Sequence, residues 1–162
     1  MLLPAIMLML AAALLVLGRR RAGLKARREN PSAWLAGCAG GFLVVMTAHL
    51  SILWNAVFAT PGMAGLTPVL AVVSLVLIWL GNTLPKTRPN PFVGVRTAST
   101  LGDRGAWGAS NRFAGWTFVM TGVLSLGIVL AGDLQLAAIT LLSGVLAGAL
   151  LAILIGQPTR PR

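Results

Sequence analysis

The chain has 162 residues, of which 57% are hydrophobic and only 10% are charged, and its mean hydropathy is +0.86. A soluble domain carries about a quarter charged residues, so a water-soluble globule is excluded and an integral membrane protein is expected. The apolar runs are continuous rather than alternating, which excludes a closed barrel and leaves helices, in a chain long enough for several spans of roughly 20 residues each. The expected fold is all-α: one polytopic transmembrane helical bundle over 1–162.

Residues 2–18 are apolar and are followed at once by Arg19, Arg20 and Arg21. A cleaved signal peptide has its charges before the apolar stretch, so the reverse order predicts an uncleaved first span with its N-terminus outside, short enough that Met1 need not be the true start. A connector over 18–32 then holds six cations against Glu29 alone, and Pro31 and Ser32 mark a helix start. The second span, 33–60, has no charged side chain; as a straight helix it runs about 42 Å, longer than a hydrocarbon core of about 30 Å, so it tilts or protrudes. Trp34 and Trp54 stand near its ends at headgroup level, and Gly37 and Gly41 form a GxxxG face. Cys38, the single cysteine, excludes an internal disulfide and reads as packing.

Thr60-Pro61-Gly62 predicts a turn, and the third span covers 64–81. The next connector, 82–112, has prolines at 85, 89 and 91, which argue against a helix over 84–91 and for an extended path. Asp103 is placed to cap a helix that begins before the membrane and continues as span four, 113–131, with Trp107, Asn111 and Gly115 on one face. Gly132-Asp133 forms a tight hairpin, with Asp133 as N-cap, into span five, 134–156, where Gly144 and Gly148 make a second GxxxG. The tail from Gln157 is too short and Pro-rich to fold.

Lys and Arg in the successive non-membrane segments number six, none, five, none and two. By the positive-inside rule this alternation gives five spans, N-terminus outside and C-terminus inside, with 18–32 and 82–112 both cytoplasmic. The net charge of +10 is then a result of topology and argues against direct nucleic-acid binding. The six-cation connector can attract anionic membrane lipids or dock an acidic partner.

His49 and Asn55 are the polar residues of interest inside the second span. An ionisable group in the bilayer raises three roles: ligand contact, proton relay or an interhelical hydrogen bond made by a neutral imidazole. Glu29, Asp103 and Asp133 are the only carboxylates and offer no acid–base pair and no metal cluster, and no nucleophile elbow or phosphate loop is present. A non-enzymatic protein without metal or cofactor is expected.

The connector over 82–112 is far longer than an ordinary interhelical link of 2 to 8 residues. Its order Gly81, Asn82, Leu84, Pro85, Lys86, Arg88, Pro89, Asn90, Gly94, Val95, Arg96, Thr97, Leu101, Trp107, Arg112, Gly115 resembles the signature of the SdpI family of bacterial membrane proteins. The chain departs at Ala98-Ser99, where that family has Pro-Trp, and at Asn111, where it has His. Asn keeps hydrogen bonding but does not titrate near neutral pH.

The resemblance implies immunity: a bacterial plasma-membrane protein that protects its cell from a membrane-active peptide toxin, in some cases recruiting a cytoplasmic transcriptional repressor. Alternative readings are a small transporter using His49 and Asn55, which would require a homo-oligomer or a polar cavity, and a structural subunit of a larger membrane complex. The immunity reading expects Asn90→Ala or Arg96→Ala to abolish protection at unchanged membrane level.

Overall fold

A computed structural model describes residues 2–58 and 64–157. The described residues form seven α-helices and no strand: α1 (Leu2–Arg19), α2 (Arg21–Glu29), α3 (Pro31–Phe58), α4 (Thr67–Thr83), α5 (Ala98–Gly102), α6 (Arg104–Leu130) and α7 (Leu134–Ile155). Single 3-10 turns precede α4 at Ala64–Leu66 and follow it at Leu84–Lys86. Four helices, α3, α4 with its trailing turn, α6 and α7, are long and apolar enough to cross a membrane. The turn expected at 60–62 and the tail beyond Gln157 lie outside the described residues.

α6 is the hub, packed most extensively against α4 on one side and α7 on the other, while α3 lies against α4. Small residues allow these close approaches. A Cβ on Gly115 would sit 2.6 Å from the Gly81 carbonyl, and one on Gly122 would sit 2.6 Å from the Ser74 carbonyl, so α4 and α6 touch backbone to backbone. Toward α7, side chains at Gly144 and Gly148 would collide with Thr121 and Thr117, as the expected GxxxG face requires. Buried Ser110 and Ser125 donate to the carbonyls of Ala152 (2.6 Å) and Ala137 (3.1 Å), joining the antiparallel pair near both ends. Without water to compete for these groups, such bonds hold helices in register.

The GxxxG face proposed for α3 is corrected. A Cβ on Gly41 meets nothing within 4 Å, whereas one on Gly40 would stand 2.7 Å from Val76 of α4. The helix contact therefore runs through Gly40, one residue, or about 100°, away on the helical wheel.

The connectors hold more helix than the sequence suggests. The segment 18–32 contains α2, whose Lys25 and Glu29 face each other at 4.0 Å, and α3 starts at Pro31. The expectation of no helix from Leu84 is corrected at its first residues. Pro85 lies within the first turn of the 3-10 segment, where a missing N–H costs nothing, and only from Thr87 (ψ 151°) is the chain extended. Asp103 caps α6 through the N–H groups of Gly105 (3.1 Å) and Ala106 (2.9 Å), so this helix begins well before its apolar stretch. Gly132, at φ 90°, turns the chain, and Asp133 caps α7 through the Leu136 N–H.

Candidate functional site

The segment between α4 and α6 folds back onto the bundle, and its motif residues divide into those that build it and those it displays. Asn90, 4% exposed, makes the first turn. Its Oδ1 accepts from the N–H groups of Phe92 and Val93 (2.9 Å each), while its Nδ2 donates to the carbonyls of Arg88 (2.8 Å) and Val93 (3.1 Å). One side chain thus satisfies backbone groups that prolines 89 and 91 bar from helix.

Gly94 follows at φ 123°, a region that L side chains rarely adopt, and a Cβ there would lie 2.6 Å from Asn111 Oδ1 and 2.8 Å from the Trp107 ring. The close passage brings the Val95 N–H to Asn111 Oδ1 at 2.9 Å, and Asn111 Nδ2 donates to the Trp107 carbonyl at 2.9 Å. Trp107, 1% exposed, donates its indole N–H to the Thr87 carbonyl at 3.0 Å. The shared face of Trp107, Asn111 and Gly115 is therefore the wall against which 87–95 is built: all three are buried, Gly115 against Gly81. Asn111 acts here as a fixed acceptor and donor, a role that needs no proton exchange.

Val93 and Val95 reach inward and pack against Leu84, Ala114 and Ala152. Thr97 and Thr100 cap α5 reciprocally, and Thr100 Oγ1 also bonds the Val95 carbonyl at 2.7 Å. Ser99, at a position where the SdpI pattern differs, donates to the Gly156 carbonyl at 2.6 Å and so ties α5 to the end of α7. On the opposite flank, Asn30 accepts from the Arg88 N–H at 2.7 Å, and Trp34 meets Phe92 edge to face with centroids 5.5 Å apart. Asn30, Thr87, Thr100 and Ser110 carry no signal in the sequence, and Ser99 stands out there only as a departure from the SdpI pattern. Asn30 and Arg88 stand 58 residues apart, Ser99 and Gly156 57, and no local pattern links them.

Under this fold lies a cleft of about 450 Å³, mostly apolar, lined by parts of α3, α4, α6 and α7 and by the segment 92–96. Gly37, Phe92, Phe118 and Ile153 contribute to its walls, and Arg96 is the charged residue in the lining. The Arg96 guanidinium also donates to the Pro91 carbonyl, which braces the turn made by Asn90.

Residues 86–157 match the SdpI/YfhL protein family. The match runs from the motif segment at Lys86 to the end of α7. No curated protein and no solved structure matches it. In this SdpI/YfhL-like chain Gly81, Leu84, Asn90, Gly94, Trp107 and Gly115 shape the segment, all of them wholly or partly buried, while Asn82, Lys86, Arg88, Arg96 and Arg112 remain exposed. Pro85, Pro89 and Thr97 are intermediate. Near the exposed rim, the backbone amides at the start of α6 hold the Asp103 carboxyl below the usual carboxylate range.

The structure does not bring His49 and Asn55 to this site. His49 lies 12 residues beyond Gly37 in α3, about 18 Å along the axis. Its Nδ1 is buried and has no hydrogen-bond partner among the described residues. Asn55 is engaged, and its amide lies where a side chain on Gly65 would otherwise sit. Among the described residues no group of three His, Cys, Asp or Glu gathers for a metal.

Proposed function

We propose that this SdpI-like chain is a non-enzymatic immunity protein of the bacterial plasma membrane, protecting its cell from a membrane-active peptide toxin. The observation that carries the reading is the apolar cleft beside Arg96, walled by the family's own motif segment and by four helices. A hydrophobic peptide arriving through the bilayer meets there an apolar surface with a single cation, a combination that admits a chain and orients its polar end.

In this reading α1 is a fifth span: its 18 residues reach about 27 Å, close to the hydrocarbon thickness. The alternation of basic segments then puts the N-terminus outside and the C-terminus inside. Both motif segment and α2 face the cytoplasm, where the exposed Arg21, Lys25 and Arg28 of α2 offer a surface to an acidic partner such as a repressor.

The test is expression in a sensitive bacterial host challenged with candidate membrane-active peptides. Protection is expected, and Arg96→Ala is expected to abolish it with the protein still present in the membrane. Full protection by Arg96→Ala sinks the cleft as the site. One observation favours a second reading, transport: the unpartnered His49 Nδ1 inside α3. Liposome flux lost in His49→Ala, with no protective phenotype, would select it.

A further inference from the structure

The shaped segment absorbs the buried motif residues but leaves its cations unexplained. Among the described residues the side chains of Lys86, Arg88, Arg104 and Arg112 make no hydrogen bond or ion pair, and all four are exposed. Arg88 and Arg104 line one hollow beside α6 and Lys86 lines another, with Arg112 on α6 between the residues that line them. The first, of about 560 Å³, is polar and is lined by Arg88, Arg104 and Gly108 together with Lys25 and Glu29, which face each other at 4.0 Å and leave Arg88 and Arg104 as its unpaired cations. The other, of about 310 Å³, is mostly apolar and is lined by Asn82, Lys86, Gly115, Trp116 and Val119.

The two hollows are lined by consecutive stretches of chain, 81–86 then 87–89 and, along α6, 104–108 then 115–119, and so lie end to end as a track. Lys86 of the second is two residues from Arg88 of the first. Arg112 lies between Gly108 and Trp116, and its Nη1 is 3.2 Å from where a Cβ on Gly108 would be. From Arg112 to Val119 the track changes from charged to apolar over seven residues, about 10 Å along the helix. The interfacial zone of one bilayer leaflet is about 5–8 Å deep, so this gradient matches the passage from headgroups to acyl chains. Trp116 is 70% exposed on a helix apolar enough to cross the membrane, the position of an aromatic ring at the headgroup boundary. The floor is fixed, because Gly81 and Gly115 meet there backbone to backbone.

We propose that this track is a seat for one anionic phospholipid. The phosphate lies at the junction of Lys86 and Arg112, the headgroup extends toward Arg88 and Arg104, and the acyl chains run along Trp116 and Val119. An acidic soluble partner would find cations in the first hollow but no use for an apolar second one. The seat is on a different face from the cleft beside Arg96 and stands whether or not the chain confers immunity.

The full chain is incorporated into nanodiscs of equal phosphatidylglycerol and phosphatidylcholine, and retained lipid is counted by native mass spectrometry. One phosphatidylglycerol is expected to be kept in preference to phosphatidylcholine. Lys86→Gln and Arg112→Gln should each lower its retention about fivefold, the effect of one cation near an anionic surface. The double variant Arg20→Gln/Arg27→Gln, which removes two cations of the other basic segment, should leave it unchanged. Equal loss in that pair, or equal retention of phosphatidylcholine, overturns the proposal, because either means general attraction to the basic face. Displacement of the lipid by soluble glycerol phosphate overturns it as well, since only the headgroup would then be bound. A second measurement needs no charge variant: brominated phosphatidylglycerol should quench tryptophan fluorescence more than brominated phosphatidylcholine. That difference should vanish in Trp116→Phe, and its persistence there would refute the acyl half of the seat.

Discussion

At the scale of single residues, the motif segment depends on side chains that substitute for secondary structure. Asn90 and Asn111 answer backbone groups that neither helix nor sheet can serve. Asn111→Ala leaves the Val95 N–H without its acceptor and is expected to cost about 1–3 kcal/mol, read as a lowered melting midpoint in detergent. Asn90→Ala removes four bonds at once, so lost protection in that variant should come with a lower membrane level, unlike Arg96→Ala, which makes only one bond to the turn. Gly94→Ala meets both a forbidden φ and the Trp107 ring, and should destabilise by more than about 1 kcal/mol. Asp103 carries a pH dependence. Its carboxyl is held below the ordinary value of 3.8 by the cap amides, so its contribution is complete above that pH and is lost as pH falls through the lower folded value. Asp103→Asn retains the capping acceptor and should flatten this part of the melting profile, whereas an unchanged acid slope would place the titrating group elsewhere.

At the scale of elements, small residues decide which helices meet. Gly81 and Gly115 bring α4 and α6 into contact at the site where the motif segment leaves one helix and approaches the other. Gly115→Ala adds a methyl group 2.6 Å from a carbonyl and 2.8 Å from the Pro85 ring, so it should cost about 1–3 kcal/mol through overpacking. Gly41→Ala, facing open space, should leave the melting midpoint unchanged. Equal effects from the two substitutions would contradict the contact surface described for α3 and α6. The sequence exposes the GxxxG spacing but not its orientation: at α7 the pattern faces α6, whereas at α3 the contact passes to Gly40, because side-chain volume on the partner helix decides which glycine is covered.

At the scale of the whole molecule, four apolar helices surround a folded segment that closes one end of the bundle. If both basic connectors lie inside the cell, a thiol at Gly102→Cys in a Cys38→Ser background should resist an impermeant reagent added to intact cells and react once they are opened. Labelling from outside would reverse the proposed orientation. The sequence alone determined that the chain is helical and membrane-embedded, where its long apolar runs lie, that Asp103 and Asp133 start helices, and that 82–112 is more than a link. These follow from hydropathy, proline and capping chemistry, which act between near neighbours. Only the tertiary structure separated the asparagines and glycines that build the segment from the cations it leaves free. That distinction rests on pairs such as Asn30 with Arg88 and Ser99 with Gly156, whose chemistry takes effect only once packing has brought distant backbone together.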